Sequence, residues 1–290
     1  MIAPRLLQDP AVKRWLAGTE PAWTLLDRKS FEALTLPPGT HGSAIRLAAD
    51  LSDDEIERSA VTRNALLLLR FASEGSGLGL TATGNLSRRV VAEMCELMEW
   101  PDFDKAERFQ FHKVVNEPDF LPLNFIRHVG QAAGFMRRHK GNLKSTPLGR
   151  ALQADAARGG LLAVFFHVAL WGLDLQYLSR GVLGSWPQRD IGVVLWSISV
   201  SASEWQSPER LMRLCCVPSK AVIESTWASG AFAMEAMVLR LLRDFGLLEH
   251  RSESVPGQRF AEKHFYRKTA LFDRFLSFDV GLEAEGMSRH

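Results

Sequence analysis

The stretch that decides the fold is residues 142–149, which read Asn-Leu-Lys-Ser-Thr-Pro-Leu-Gly. Leu143-Lys144-Ser145 is typical of a short strand, and Lys140-Gly141 before it is typical of a turn. Thr146 is a preferred N-cap residue, and Pro147 suits the first position of a helix. The stretch therefore predicts a strand that leads through a threonine directly into a helix.

The same order recurs twice in the chain. Thr81-Ala82-Thr83-Gly84 follows the strand-like Leu78-Gly79-Leu80, and Thr269-Ala270-Leu271-Phe272 follows a strand-like stretch from Arg259 to Lys268. Helices are predicted to begin at Gly84 and after Thr269. Each threonine is explained by local capping, although the positive end of a helix dipole also permits anion binding. A repeated strand–Thr–helix element is the main organising feature of the sequence.

The C-terminal third has a further pattern. Ile191 to Ser203 and Pro208 to Cys216 are predicted as two helices joined by a turn at Trp205-Gln206, and a longer helix is predicted from about Ala221 to Phe245. Two strands follow, one from Leu247 and one from Arg259 to Lys268. This order, from about Arg189 to Val280, resembles a winged-helix domain in which the strand pair is the wing. The resemblance implies macromolecular contact, with nucleic acid as the first partner class.

A second resemblance is only a few residues long. Leu80-Thr81-Ala82-Thr83-Gly84-Asn85-Leu86 is similar to a segment of uncharacterised bacterial proteins carried on plasmids and transposons. It implies no activity.

The predicted fold is mainly α with short β-hairpins, built from multiple winged-helix-like modules packed together. Ser52-Asp53-Asp54-Glu55 is a capping box that opens a helix towards Phe71, and Asn124 to Arg138 is predicted as an amphipathic helix. Four segments are predicted: an N-terminal arm (1–50), a first strand–Thr–helix module (51–103), a second module with an apolar helix (104–188) and the C-terminal winged-helix-like domain (189–290).

Composition limits the possible partners. Among 290 residues, 35 Lys and Arg face 33 Asp and Glu, so the formal charge is only +2 and nucleic-acid binding has to come from local patches. Cys95, Cys215 and Cys216 fit no disulfide framework, and no apolar stretch is long enough to span a bilayer. We expect a cytoplasmic protein with no membrane contact.

Two basic clusters are the candidate nucleic-acid-binding residues. The first is Arg137, Arg138, Lys140 and Lys144, expected at a helix end and its hairpin; the second is the wing set Arg259, Lys263, Arg267 and Lys268. Solvated charge at a helix C-terminus is the alternative explanation for the first cluster. If DNA is bound, the expected role is non-specific phosphate neutralisation.

The stretch from Thr226 to Glu235 is small and apolar, which argues against base reading by the C-terminal module. It favours the alternative function, a protein–protein adaptor or a homo-oligomeric scaffold that uses this helix as its interface. Enzymatic activity is the third possibility. The sequence contains no nucleophile elbow, phosphate-binding loop or paired histidine motif, so no catalytic, cofactor-binding or metal-binding residue is predicted.

Overall fold

The computed structural model describes residues 3–101, 103, 115–154, 157–257 and 261–283. The chain divides into two compact units, one of residues 48–173 and one of residues 1–47 with 174–290. The four-segment division remains a prediction, because a compact unit and an independently folding domain are different properties.

The unit of residues 48–173 is mainly helical, and its described strands form a small sheet. Its helices are Asp53–Glu57, Ala60–Ser73, Arg88–Leu97, Leu121–Ala132, Pro147–Ala151 and Arg158–His167, with a 3-10 turn at Glu117–Asp119 and a π-helical turn at Val168–Gly172. Its strands are Leu78–Gly79, Met136–His139 and Asn142–Ser145, and the last of these lies in the middle of an antiparallel sheet. Helix Ala60–Ser73 packs against Leu121–Ala132 and Arg158–His167 around a core that includes Leu68, Ile126 and Phe165.

The other unit joins both ends of the chain. Its helices are Ala3–Gln8, Pro10–Leu16, Arg28–Leu34, Ile191–Ser201, Pro208–Cys215, Lys220–Glu224, Trp227–Met234, Arg240–Asp244 and Ala270–Phe275. Shorter turns are Ala22–Leu25, Leu175–Tyr177, Gln188–Asp190 and Glu235–Leu239, and the strands are Ile45–Leu47, Leu248–Ser254, Glu262–Lys268 and Leu276–Phe278. Ile45–Leu47 pairs antiparallel with Leu276–Phe278, and the buried Trp23 indole donates to the Cys216 carbonyl at 3.1 Å. The N-terminal residues therefore belong to the core of this unit.

The two units repeat one order of elements. A helix, a short extended segment, several helical segments and a hairpin follow one another, and the first extended segment pairs with the last strand: Leu78–Gly79 with Asn142–Ser145, and Gln206 with Tyr266. In both units a glycine with positive φ, Gly134 or Gly246, ends the helix before the hairpin.

Threonine caps complete the repeat. Thr146 accepts from the Gly149 amide and donates to the Gly134 carbonyl, and Thr269 accepts from the Phe272 amide and donates to the Gly246 carbonyl. The predicted strand–Thr–helix element is confirmed at these two positions. The capping box of Ser52 and Glu55 is also confirmed.

At the third position the prediction was wrong. Thr81 to Gly84 form a turn, in which the Thr81 hydroxyl bonds the Asn85 backbone, and the helix begins only at Arg88. Leu80 pairs with Leu86 across this turn. The loop closes on itself because Gly84 adopts a φ of +83°, which a continuing helix does not allow.

Three predicted helices also have other bounds. The helix from Ser52 is two helices, because Ser59 caps a new one. The helix from Asn124 ends at Ala132, so Arg137 and Arg138 lie on a strand and not at a helix end. The helix from Ala221 is interrupted at Ser225, after which Thr226 caps the next helix.

The predicted mainly α fold with short β-hairpins is confirmed. Among the residues that the structure describes, no helix is both long and apolar enough to cross a membrane.

Candidate nucleic-acid interface

The first basic cluster lies on a tight hairpin. Met136–His139 and Asn142–Ser145 pair antiparallel, and the two residues between them, Lys140 and Gly141, have φ values of +47° and +75°. Two successive positive φ angles are the mark of a type I′ turn, whose twist matches that of the strands. The hairpin is therefore a defined structure, to be called the basic hairpin (residues 136–145).

All four predicted residues of the first cluster lie on the basic hairpin. Arg137 and Lys144 are direct cross-strand partners, so their side chains share one face of the sheet. Arg137, Arg138 and Lys140 are exposed, and Lys144 is half-buried. Within the described ranges, none of the four has an acidic partner at ion-pair distance. Their positive charge is thus not neutralised by neighbouring described side chains.

Helix Leu121–Ala132 leads directly into the basic hairpin and has one polar side. Phe125, Ile126 and Val129 are buried in the core. Asn124, His128 and Gln131 point the other way at helical spacing, with His128 exposed and the other two half-exposed. The His128 ring nitrogen Nδ1 lies 2.7 Å from the Asn124 carbonyl, which holds the ring along the helix. We call these three residues the polar ridge.

A loop next to the hairpin rests on a buried ion pair. Glu117 and Arg127 are both almost fully buried, and the Glu117 carboxylate contacts the Arg127 guanidinium through Oε1 and Nε. The carboxylate also accepts from the Leu86 amide at 2.5 Å, and Arg127 Nη1 donates to the Gly84 carbonyl at 3.2 Å. The pair therefore anchors residues 81–86, to be called the threonine loop.

The predicted wing residues belong to the other unit, and two of the four, Arg267 and Lys268, are paired with acids. Arg267 contacts Glu249 across the strands at 2.6 Å, and Lys268 contacts Asp273 at 2.8 Å and the Ser199 carbonyl. Lys263 is exposed on the same strand, and Arg259 lies outside the described residues. The structure places the whole first cluster on one hairpin, whereas in the wing set Arg267 and Lys268 are neutralised by acids of their own unit.

Arginines of the wing also make cation–π contacts with aromatic rings. The guanidinium carbons of Arg251 and Arg267 each lie 4.8 Å from the centre of the Trp205 ring, and Arg251 also contacts Glu253 at 3.3 Å. These contacts stabilise the hairpin and leave its arginines less free to meet an anion.

Sequence reasoning missed the polar ridge, the buried ion pair and the role of Gly84. The spacing of Asn124, His128 and Gln131 was a visible signal for the ridge. For Glu117 and Arg127 the sequence carries no signal, because charged residues are usually exposed and burial depends on distant neighbours. No group of three metal-ligating side chains occurs in the described part of the chain.

Comparison with known proteins covers this unit. Residues 57–158 match a family model described as the Y4jL N-terminal domain. The uncharacterized protein y4jL of Sinorhizobium fredii (strain NBRC 101917 / NGR234) is 31% identical over 106 residues, which are 37% of this chain and 47% of that protein. The chain thus spans about half the length of the relative it matches. No solved structure matches.

Proposed function

We propose that residues 48–173 form a winged-helix-like module that binds double-stranded DNA through phosphate contacts of the basic hairpin. The observation that carries the proposal is the set of four cations on this hairpin, none of them paired with an acid among the described residues. In support, the order of elements and the position of the first strand beside the last are those expected of a winged helix.

Phosphate neutralisation suits these side chains. Arg137 and Lys144 lie side by side across the strands, and Lys140 extends the charge to the turn. The type I′ hairpin places Arg137 and Lys144 on one face of the sheet before any ligand arrives, which reduces the entropy lost on binding, while Arg138, paired with Leu143, lies on the other face. Such contacts release counterions from DNA, so affinity falls as salt rises.

The polar ridge adds a second part to the proposal. Asn and Gln side chains can bond the edge of adenine in the major groove, and a helix of this diameter fits that groove. Asn124, His128 and Gln131 would face the bases while the basic hairpin contacts the backbone. The apolar helix at Trp227–Met234, which argued against base reading, belongs to the other unit and does not bear on this one.

The wing set contributes little to this proposal. Arg267 and Lys268 hold acidic partners within their own unit, and releasing them for phosphate would break those pairs. We therefore assign the phosphate contacts to Arg137, Arg138, Lys140 and Lys144. The cell compartment that we propose is the cytoplasm.

The experiment is a binding titration of the purified chain with fluorescent random-sequence duplex and single-stranded DNA at several salt concentrations. The test variant changes Arg137, Arg138, Lys140 and Lys144 to Gln. We expect wild-type affinity for the duplex to fall steeply with salt. The steepness of this fall, the slope of log K against log salt without its sign, is called the salt slope, and the variant should reduce it by ~3 to 4.

A matched control changes four exposed cations of the other unit, Lys13, Lys29, Arg210 and Lys220, to Gln. Both variants lose four positive charges, so their net charge is equal. Equal loss of binding in both would mean that total charge matters and not the basic hairpin, and absence of wild-type binding at low salt would contradict the proposal itself.

The adaptor or homo-oligomer function stays the alternative. Within the predicted stretch from Thr226 to Glu235, Ala233 and Met234 are buried in their own unit, whereas Ala228 is exposed and Ala231 and Phe232 are half-buried. This leaves less apolar surface for a partner than the sequence implied. DNA-independent association that persists at high salt would favour this alternative.

A further inference from the structure

Gly84 lies directly under the guanidinium of Arg138. It is buried and has a φ of +83°, a conformation that favours glycine. A methyl group at this position would come within 2.8 Å of Arg138 Cζ and 2.9 Å of Nη2. The threonine loop therefore forms a surface on which the Arg138 side chain rests, and a larger residue at Gly84 would displace the guanidinium from it.

Two buried side chains fix the backbone position of the threonine loop. Glu117 holds the Leu86 amide, Arg127 holds the Gly84 carbonyl, and the two side chains hold each other. Since Glu117 is 0% and Arg127 2% exposed, neither can contact a phosphate. Burying two charges costs free energy. The hydrogen bonds that these two side chains make go to the backbone of the threonine loop, which lies beneath Arg138.

We propose that Gly84, Glu117 and Arg127 are positioning residues that hold the guanidinium of Arg138 in place for a DNA phosphate. This inference rests on the proposed function. A long exposed arginine loses rotamer freedom when it grips a ligand, so a support that limits this freedom beforehand strengthens binding.

The test is a double-mutant cycle on Gly84 and Arg138. Gly84→Ala, Arg138→Gln and the combined variant are titrated with the same random-sequence duplex over a range of salt. Arg138→Gln should lower the salt slope by ~1. Gly84→Ala should lower the slope in the same direction, and it should have no further effect once Arg138 is Gln, because contacting residues are not additive. Independent, additive effects would overturn the positioning role.

Backbone strain needs its own control. Gly75 has a φ of +48° in the same unit, and a methyl group there would meet no atom within 4 Å. Gly75→Ala therefore introduces strain without touching Arg138 and should leave the salt slope unchanged. If Gly84→Ala does not fold, Gly84→Asn replaces it, because asparagine tolerates positive φ and its side chain still displaces the guanidinium.

A readout in the free protein separates positioning from stability. The Nε–Hε group of Arg138 should show restricted motion by NMR relaxation in the wild type and increased motion in Gly84→Ala. Unchanged motion would overturn the inference. No salt-dependent binding by the wild type would overturn both proposals, whereas binding with an additive cycle would overturn only this one.

Discussion

At the residue scale, the most unusual feature is the buried pair of Glu117 and Arg127. Charged groups are rarely buried unless they are paired and hydrogen-bonded, and here both conditions hold. The pair lies ten residues apart on a 3-10 turn and the next helix, so it joins these elements to the threonine loop. The pair contributes to the fold by fixing the backbone of that loop.

Replacing Glu117 by Gln should therefore destabilise the unit strongly. The change leaves Arg127 buried without a counter-charge, which costs about 3 to 5 kcal/mol. Urea unfolding measures the loss. As a control, Glu32→Gln breaks the exposed contact with Arg28 and should cost less than about 1 kcal/mol. Similar losses of unfolding free energy in the two variants would contradict the burial of Glu117 and Arg127.

The cysteines give a second prediction at this scale. Cys95, Cys215 and Cys216 are buried and form no disulfide bond, and burial raises the pKa of the Cys215 and Cys216 thiols above the ordinary value. Because the thiolate is the reactive form, these thiols should react slowly with a disulfide reagent near pH 8 in the folded chain. All three should react at once in denaturant. Fast labelling of the folded chain would show that the thiols are accessible.

At the scale of elements, both units use the same junctions. A helix ends at a left-handed glycine, a hairpin follows, and a threonine returns the chain to a helix. The threonine side chain bonds an amide of the new helix and the carbonyl of the glycine that follows the old helix, so it ties the two ends of the hairpin together. This double contact explains why the same residue type recurs at both positions.

Removing either threonine should be equally costly. Thr146→Ala and Thr269→Ala should each destabilise the fold by about 1 to 2 kcal/mol, as the loss of an N-cap does. The two losses should add in the double variant, since the sites share no partners. Thr83→Ala, at an exposed position of the threonine loop, serves as a control and should change stability by less than about 0.5 kcal/mol. Chemical denaturation of the four variants tests this, and a strongly non-additive double variant would contradict it.

At the scale of the whole molecule, the two units share an order of elements but differ in the state of their charges. The basic hairpin carries cations without acidic partners among the described residues. The strands Leu248–Ser254 and Glu262–Lys268 carry as many cations, but three of them, Arg251, Arg267 and Lys268, contact glutamates, an aspartate or the Trp205 ring. A nearly neutral chain can therefore still hold one locally basic surface.

Removing two positive charges from the basic hairpin should therefore weaken duplex binding more than removing two from the other hairpin. The pair Arg137→Gln and Lys144→Gln should lower the salt slope of duplex binding by ~2. The pair Arg267→Gln and Lys268→Gln removes the same charge and should leave the slope unchanged, because those cations are held by Glu249 and Asp273. Anisotropy titrations at four salt concentrations measure both. Equal slopes for the two variants would contradict the assignment of phosphate contacts to the basic hairpin.

The sequence by itself determined the local features of this protein. It predicted the mainly α class, the Thr146 and Thr269 caps, the capping box at Ser52 and the first basic cluster, because capping and turn formation depend on residues a few positions apart. Only the tertiary structure decided which charges are paired, that Gly84 closes a loop under Arg138, and that Glu117 and Arg127 are buried beneath it. These properties depend on neighbours from distant parts of the chain, and residue type and spacing do not reveal which neighbours those are.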